Sequence, residues 1–329
     1  VPSEPSSPGD QPAGPSHPRP DLGDLPGEVL ADVARAVGTR VTPLLRLPGG
    51  ANGGTVRVRL AGGTEAALKT APRTHAGQLD ETLRARRVVE HMRGHGYPTP
   101  AWLGTGATAA HVWHLVDLVD APPATALTPS LVEQLMAVVE LQAGQATEPY
   151  DHWSYAWRVA TGRSASGTGP EVVETPEQSR LRRSVSRLSG HSPVVSALVE
   201  QLRLLCAHVP APPPGPDMVH ADLATPGNVL VRDGAVVAVV DLGNAGSGTR
   251  AVDLTTLLWS CYGDPELDGV RRRLWTTVLA LVGGEAAAVL LASHVLLMLE
   301  LPLRLGQPAA VPAVVERARR ALDELHALR

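Results

Sequence analysis

The chain has 329 residues, with 29 basic against 33 acidic side chains and a net charge of −4. That length buries a substantial core in one large domain or two lobes, and the charge balance gives no basic face for nucleic acid. Cys206 and Cys261 lie far apart and form no CxxC pair, so neither a disulfide framework nor a zinc site is expected and a reducing cytoplasm is the default compartment.

The opening residues, rich in Pro, Ser and Gly, do not read as a secretory leader. Eight of the first 26 are proline, and such a segment cannot bury enough apolar surface to offset its ordering entropy, so residues 1–26 are expected to be a disordered tail. Glu28 to Val37 reads as a short amphipathic helix. Residues 43 to 71 read as strands: a Gly-rich turn from Gly49 to Gly54, the alternating Thr55-Val56-Arg57-Val58-Arg59-Leu60, and Ala66-Ala67-Leu68-Lys69. A helix is expected from about Leu79 to Arg93, stopping at Gly94 and Gly96 before Pro98. Strands around 101–104 and 111–119 complete a sheet-and-helix lobe over 27–118.

From Pro122-Pro123 onward, residues 119–329, the pattern turns helical. Thr128-Pro129 supplies a cap and first turn. Residues 162–176 read as a loop, 192–208 as a helix, and 210–216 as a proline-rich connector. A β-hairpin follows, then helices near 252–260, 267–282, 285–300 and 312–327. The apolar stretch from Ala286 to Leu299 is too short to span a bilayer comfortably and reads as a buried core helix, so no membrane partner is expected. Nothing in the sequence sets the oligomeric state.

Composition adds a second signal. The chain has no Phe, no Ile, one lysine (Lys69) and three asparagines, Asn52, Asn228 and Asn244. Arg and Val occupy almost every place that Lys or Ile could fill, so the few that remain mark positions where the side chain itself matters.

The densest motif is Val219-His220-Ala221-Asp222-Leu223-Ala224-Thr225-Pro226-Gly227-Asn228-Val229-Leu230-Val231, followed by Val239-Val240-Asp241-Leu242-Gly243. Two apolar runs flank Arg232-Asp233-Gly234, and Asp-Gly is a strong hairpin turn signal. Antiparallel pairing of the runs brings Asn228 and Asp241 side by side at the end away from the turn, with Asp222 in the loop ahead of them. An amide oxygen and a carboxylate at neighbouring strand ends suit magnesium, with nucleotide phosphates as further ligands. A carboxylate beside them can take a proton from an attacking hydroxyl.

These residues, with Gly248 and Asp253-Leu254 downstream, resemble the aminoglycoside phosphotransferase and choline kinase group of eukaryotic-like kinases. The likeness is motif-grade over about 217–258. It implies an α+β, protein-kinase-like two-lobed fold that uses ATP and Mg2+ to phosphorylate a small molecule with a free hydroxyl. It further implies Asp222 as catalytic base, Asn228 and Asp241 as magnesium ligands, and His220 and Asp253 as support of the catalytic loop. Asn228 stands six residues after Asp222, where such loops usually count five, so the loop carries one extra residue. Leu141 to Ala146 is similar to antibiotic-modifying members. Lys69 ends a strand after a Gly-rich hairpin, where these kinases hold the lysine that meets the ATP phosphates. Asn52 and Gly53, in the hairpin turn, are candidates to cover those phosphates. Glu81, on an apolar helix face with Ala85, Val88 and Met92, is the candidate acid for Lys69.

Competing motifs are weaker. Gly246-x-Gly248-x-x-Ala251 lacks the strand and the acidic residue of a dinucleotide fingerprint. No GxxxxGK[ST], GxSxG or HExxH is present. The resemblance implies an antibiotic as acceptor, an aminoglycoside or a basic peptide antibiotic. Alternatives are a metabolic acceptor (choline, a sugar or an amino alcohol) and a nucleotide-binding scaffold without catalysis. Asp264, Glu266 and Asp268 could face a cationic acceptor, although a solvated acidic turn explains them as well.

Overall fold

The computed structural model describes residues 25–47, 54–147, 150–163, 174, 176–225 and 227–329. The expected tail therefore lies outside the described residues except for Leu25 and Pro26, and Leu25 already packs on a hydrophobic core. In chain order the elements are α1 (Gly27–Val37), β1 (Val41–Leu47), β2 (Thr55–Leu60), β3 (Glu65–Pro72), α2 (Gln78–Gly94), β4 (Trp102–Ala107) and β5 (His111–Asp117). There follow α3 (Pro129–Glu140), α4 (His152–Thr161), α5 (Pro176–Val185), α6 (Pro193–Cys206), β6 (Asp217–Val219), β7 (Val229–Arg232), β8 (Ala235–Val239) and β9 (Gly246–Gly248). The last three are α7 (Ala251–Ser260), α8 (Asp268–Arg304) and α9 (Val311–Leu328).

The first five strands form one antiparallel sheet in the order β1-β2-β3-β5-β4. Strand periodicity divides its faces. Val56, Val58, Ala66, Leu68, Trp113 and Leu115 point to one side and bury against Val29 and Val33 of α1. Spaced four apart, those two valines lie on one stripe of the helix, which closes with Gly38 at φ 69°. Ala67 and Lys69 therefore face the other way, toward the rest of the molecule.

The second lobe is helical. Thr128 caps α3 by accepting from Leu131 N at 3.2 Å, and Asp151 caps α4 by accepting from Trp153 N and Ser154 N, both at 3.0 Å. Leu254, Leu257 and Leu258 of α7 join Trp275, Leu291 and Leu296 of α8 in the main core. α8 holds both of the helices expected at 267–282 and 285–300, joined at Gly283, whose φ of 74° and ψ of 170° break the helical path. Its most apolar window is 67% buried inside the fold, as a core helix requires. α5 begins at Pro176, the last residue of the expected loop, and runs through a segment for which no element was expected. Two small antiparallel pairs complete the lobe, β6 with β9 and β7 with β8.

The β7–β8 hairpin turns at Asp233 and Gly234, with φ of 53° and 76°. Two successive left-handed residues are what a type I′ turn needs. Trp113, at 1% exposure, is the largest side chain of the sheet-lobe core, and its indole N–H donates to Asp32 on α1 at 2.8 Å. Trp113→Ala is expected to cost about 3–5 kcal/mol in urea unfolding; a loss below about 1 kcal/mol would show that α1 and the sheet do not share this core.

Candidate active site

The hairpin sets the first two groups. Val229 pairs with Val239, and Val240 N donates to Asn228 O at 2.9 Å, which places Asn228 and Asp241 at adjacent strand ends as their spacing predicts. Asp241 itself is left-handed, with φ 69° and ψ 51°. The extra residue between Asp222 and Asn228 is taken up by two consecutive tight turns: Thr225 N donates to Asp222 O and Asn228 N to Thr225 O, both at 3.1 Å. Gly227 at φ 99° makes the second turn possible.

Asn228 Nδ2 donates to Asp222 O at 2.9 Å. Its amide oxygen, the atom a cation would need, has no hydrogen bond among the described residues. Asp222 Oδ2 accepts from Asn244 Nδ2 at 2.7 Å, and Oδ1 is likewise uncommitted. Ala221, just before the acid, is held at φ 73°, a conformation that costs a residue with a Cβ and persists only where the surroundings impose it.

Asp253 imposes it. The carboxylate is fully buried and accepts from His220 N at 2.7 Å, Ala221 N at 2.9 Å and Gln142 Nε2 at 3.0 Å. Burial pushes its pKa up, while His220 and these N–H donors oppose the rise. His220 then links loop to hairpin: Nε2–H donates to Val240 O at 3.0 Å, and Nδ1 accepts from Asp222 N at 3.2 Å.

Lys69 reaches across from the sheet and pairs with Asp241 Oδ1 at 2.6 Å. Burial raises the Asp241 pKa, but the Lys69 ammonium more than offsets it and holds the carboxyl below its ordinary value. His114, the cross-strand partner of Lys69, stacks on Trp102 with ring centroids 4.1 Å apart. Burial and the nearby lysine push its pKa down to about 3, so it is neutral.

Glu81 is not brought to Lys69. Its carboxylate lies 3.5 Å from His75 Nε2, and Glu90 pairs with Arg86. The buried charge on α2 is instead Arg84, which bonds to the carbonyls of Gly243 and Ala245. Asn52 and Gly53 lie outside the described residues. Of the acidic turn, Asp264 caps Glu266 N at 2.9 Å and Asp268 pairs with Arg271, which is local structure. Trp259 belongs to the core, with His294 edge-on at 5.5 Å; burial holds that histidine neutral, at about 4.

A cation fits this set. Asp241 and Asn228 offer hard oxygen atoms, and no cluster of three or more His, Cys, Asp or Glu side chains among the described residues could hold a metal alone. Nucleotide phosphates and water would complete the shell, the usual arrangement for magnesium. Sequence reasoning missed Asn244, Gln142, Arg84 and His152. Scarcity pointed to Asn244 as one of three asparagines, and Gln142 lies in the Leu141 to Ala146 stretch; the other two carried no signal.

A sheet lobe presenting a lysine to a helical lobe that carries an Asp, Asn and Asp on a loop and hairpin defines a kinase-like architecture. The model of the phosphotransferase enzyme family APH matches residues 43–291, and the chain belongs to that family. Among solved structures it is similar to the aminoglycoside phosphotransferase APH(4)-Ia in complex with ADP and hygromycin B, at 15% identity and TM-score 0.60, over 89% of this chain and 97% of that one. It is also similar to a Thermobifida fusca protein assigned as a fructosamine-3-kinase, at 25% identity and TM-score 0.55, over 90% and 98%. A third is amicoumacin kinase in complex with AMP-PNP and Ca2+, at 15% identity and TM-score 0.54, over 92% and 96%. A search of curated protein sequences finds no match.

The anchor is directly testable. Asp253→Ala leaves two backbone N–H groups and an amide without an acceptor in the core, each worth about 1–3 kcal/mol. Urea unfolding should show a loss of about 3 kcal/mol or more, and an unchanged midpoint would remove Asp253 from this role.

Proposed function

We propose that the chain is an ATP- and Mg2+-dependent O-phosphotransferase acting on the hydroxyl of a small molecule. The observation that carries this reading is the contact of Lys69 with Asp241, at a hairpin end whose neighbour Asn228 bonds to the Asp222 backbone. Asp222 Oδ1 accepts the hydroxyl proton as the acceptor oxygen bonds to the γ-phosphorus; the bond to the bridging oxygen breaks and ADP leaves. Asp241 and the Asn228 amide oxygen would hold magnesium, which would supply charge neutralisation at the phosphates. Lys69 exchanges its contact with Asp241 for the α- and β-phosphates. His220 and Asp253 brace the loop without touching substrate. We place the lobe boundary after residue 118, and the buried free thiols of Cys206 and Cys261 suit a cytoplasmic enzyme.

The preferred acceptor is an antibiotic, an aminoglycoside or a basic peptide antibiotic, with resistance as the consequence: an added phosphate removes a hydroxyl donor and introduces negative charge. A metabolic acceptor is the second reading, and the similarity to the fructosamine-3-kinase assignment at 25% identity favours a sugar-derived one. A coupled ATP-consumption assay over aminoglycosides, tuberactinomycin peptides, macrolides, fructosamines, choline and sugars separates them. Asp222→Ala should lower turnover about a hundred- to ten-thousandfold, and EDTA should abolish it. Turnover that survives in Asp222→Ala would remove this acid as base.

A further inference from the structure

Three consecutive backbone carbonyls just beyond Asp241 are each taken by a side chain. Arg84 Nη2 donates to Gly243 O at 2.7 Å and Nη1 to Ala245 O at 2.5 Å. Between them, His152 Nε2 donates to Asn244 O at 2.7 Å. The two gripping residues come from opposite lobes, Arg84 from α2 and His152 from the first turn of α4. Gln178 on α5 donates its amide to His152 Nδ1 at 3.1 Å, which fixes the tautomer with the proton on Nε2. The segment held in this way carries Asn244, whose amide donates to Asp222 Oδ2 at 2.7 Å.

Arg84 is 7% exposed, lies over the Tyr150 ring at 4.3 Å, and has no carboxylate within ion-pair distance among the described residues. Glu81 acts on it only from beyond ion-pair distance. A buried guanidinium with no direct carboxylate partner is a costly way to seat a helix against a loop, and a methionine would fill comparable space without that cost. What the guanidinium adds is a rigid fork, two donors at fixed spacing that match two carbonyls and define the chain between them.

We propose that Arg84 and His152 are positioning residues for Asp222. They set the conformation of residues 243–245 so that the Asn244 amide holds one carboxylate oxygen and leaves the other for the acceptor hydroxyl. This rests on the reading of Asp222 as base. Because the fork stands on α2, the orientation of the base depends on how that helix is seated, a link made in this chain through backbone carbonyls and not through an acid on Lys69.

The test uses the full chain with Arg84→Met, Arg84→Lys, Asn244→Ala and the Arg84→Met/Asn244→Ala pair. Three quantities are read: hydrogen exchange over residues 241–248, AMP-PNP affinity by calorimetry, and kcat with whichever acceptor in the panel is turned over. Arg84→Met should raise exchange across 241–248 and lower kcat about tenfold or more, with KM and AMP-PNP affinity held within about twofold. Asn244→Ala should lower kcat at least as far, and the pair should be no worse than Asn244→Ala alone, the signature of residues acting in series. Arg84→Lys, with a single donor group, should recover part of the loss, and it carries the test if Arg84→Met does not fold. Losses that multiply in the pair, or a change confined to KM for ATP, would overturn the proposal. If the wild-type protein turns over no acceptor, the phosphotransferase reading fails on that ground, and exchange over 241–248 left unchanged by Arg84→Met overturns the clamp by itself.

Discussion

The buried carboxylate of Asp253 is the interaction on which the rest of the site depends. Taking a carboxylate out of water is expensive, and only charge-assisted hydrogen bonds offset it. Its three N–H donors, His220, Ala221 and Gln142, come from the loop that carries Asp222 and from the turn that follows α3. Once those bonds are made, Ala221 must take its left-handed conformation, Asp222 N meets the His220 ring, and the other ring nitrogen ties the loop to Val240 at the hairpin's end. A second buried acid works in parallel. Asp217 accepts from Gly144 N and Arg250 N, both at 3.0 Å, and so fixes the strand that leads into the loop.

The two lobes meet through charge and backbone together. Strand alternation turns Lys69 away from the α1 core and toward Asp241. On the same side, α2 reaches the Asp241 segment with an arginine that binds carbonyls. The lysine therefore has its counter-charge on the hairpin, and the helix has its contact on the following turn. This differs from the expected Lys69–Glu81 pair, and the reason is visible in burial: Glu81 is half-exposed beside His75, whereas Arg84 is the charged residue on the buried face of α2.

Much of this was legible in the sequence because it depends on local rules. Asp233-Gly234 specifies its turn chemically, and turn and register together put Asn228 beside Asp241. Lys69 could be found because it lies on a strand in a chain with no other lysine, although β3 runs on to Pro72 and does not end there as expected. The sheet lobe follows from period-two alternation, and the α8 break from Gly283-Gly284. What stayed hidden involves long-range bonds to backbone atoms. Arg84 and Ala245 are far apart in sequence, and a carbonyl acceptor leaves no mark on residue identity, so an arginine in a basic helix reads as solvent-facing. His152 is hidden for the same reason. α5 was missed because its segment, Pro176–Val185, is polar and basic and lacks the apolar stripe by which helices are read.

The central claim is that Asp241 and Asn228 hold the cation that carries the nucleotide phosphates, with Lys69 released to those phosphates. Calorimetric titration of AMP-PNP, with and without magnesium, into the wild-type protein and Asp241→Asn tests it most directly. The account predicts tight binding only with magnesium in the wild type, and loss of that magnesium dependence in the variant. Equal affinity and equal magnesium dependence in both proteins would contradict it.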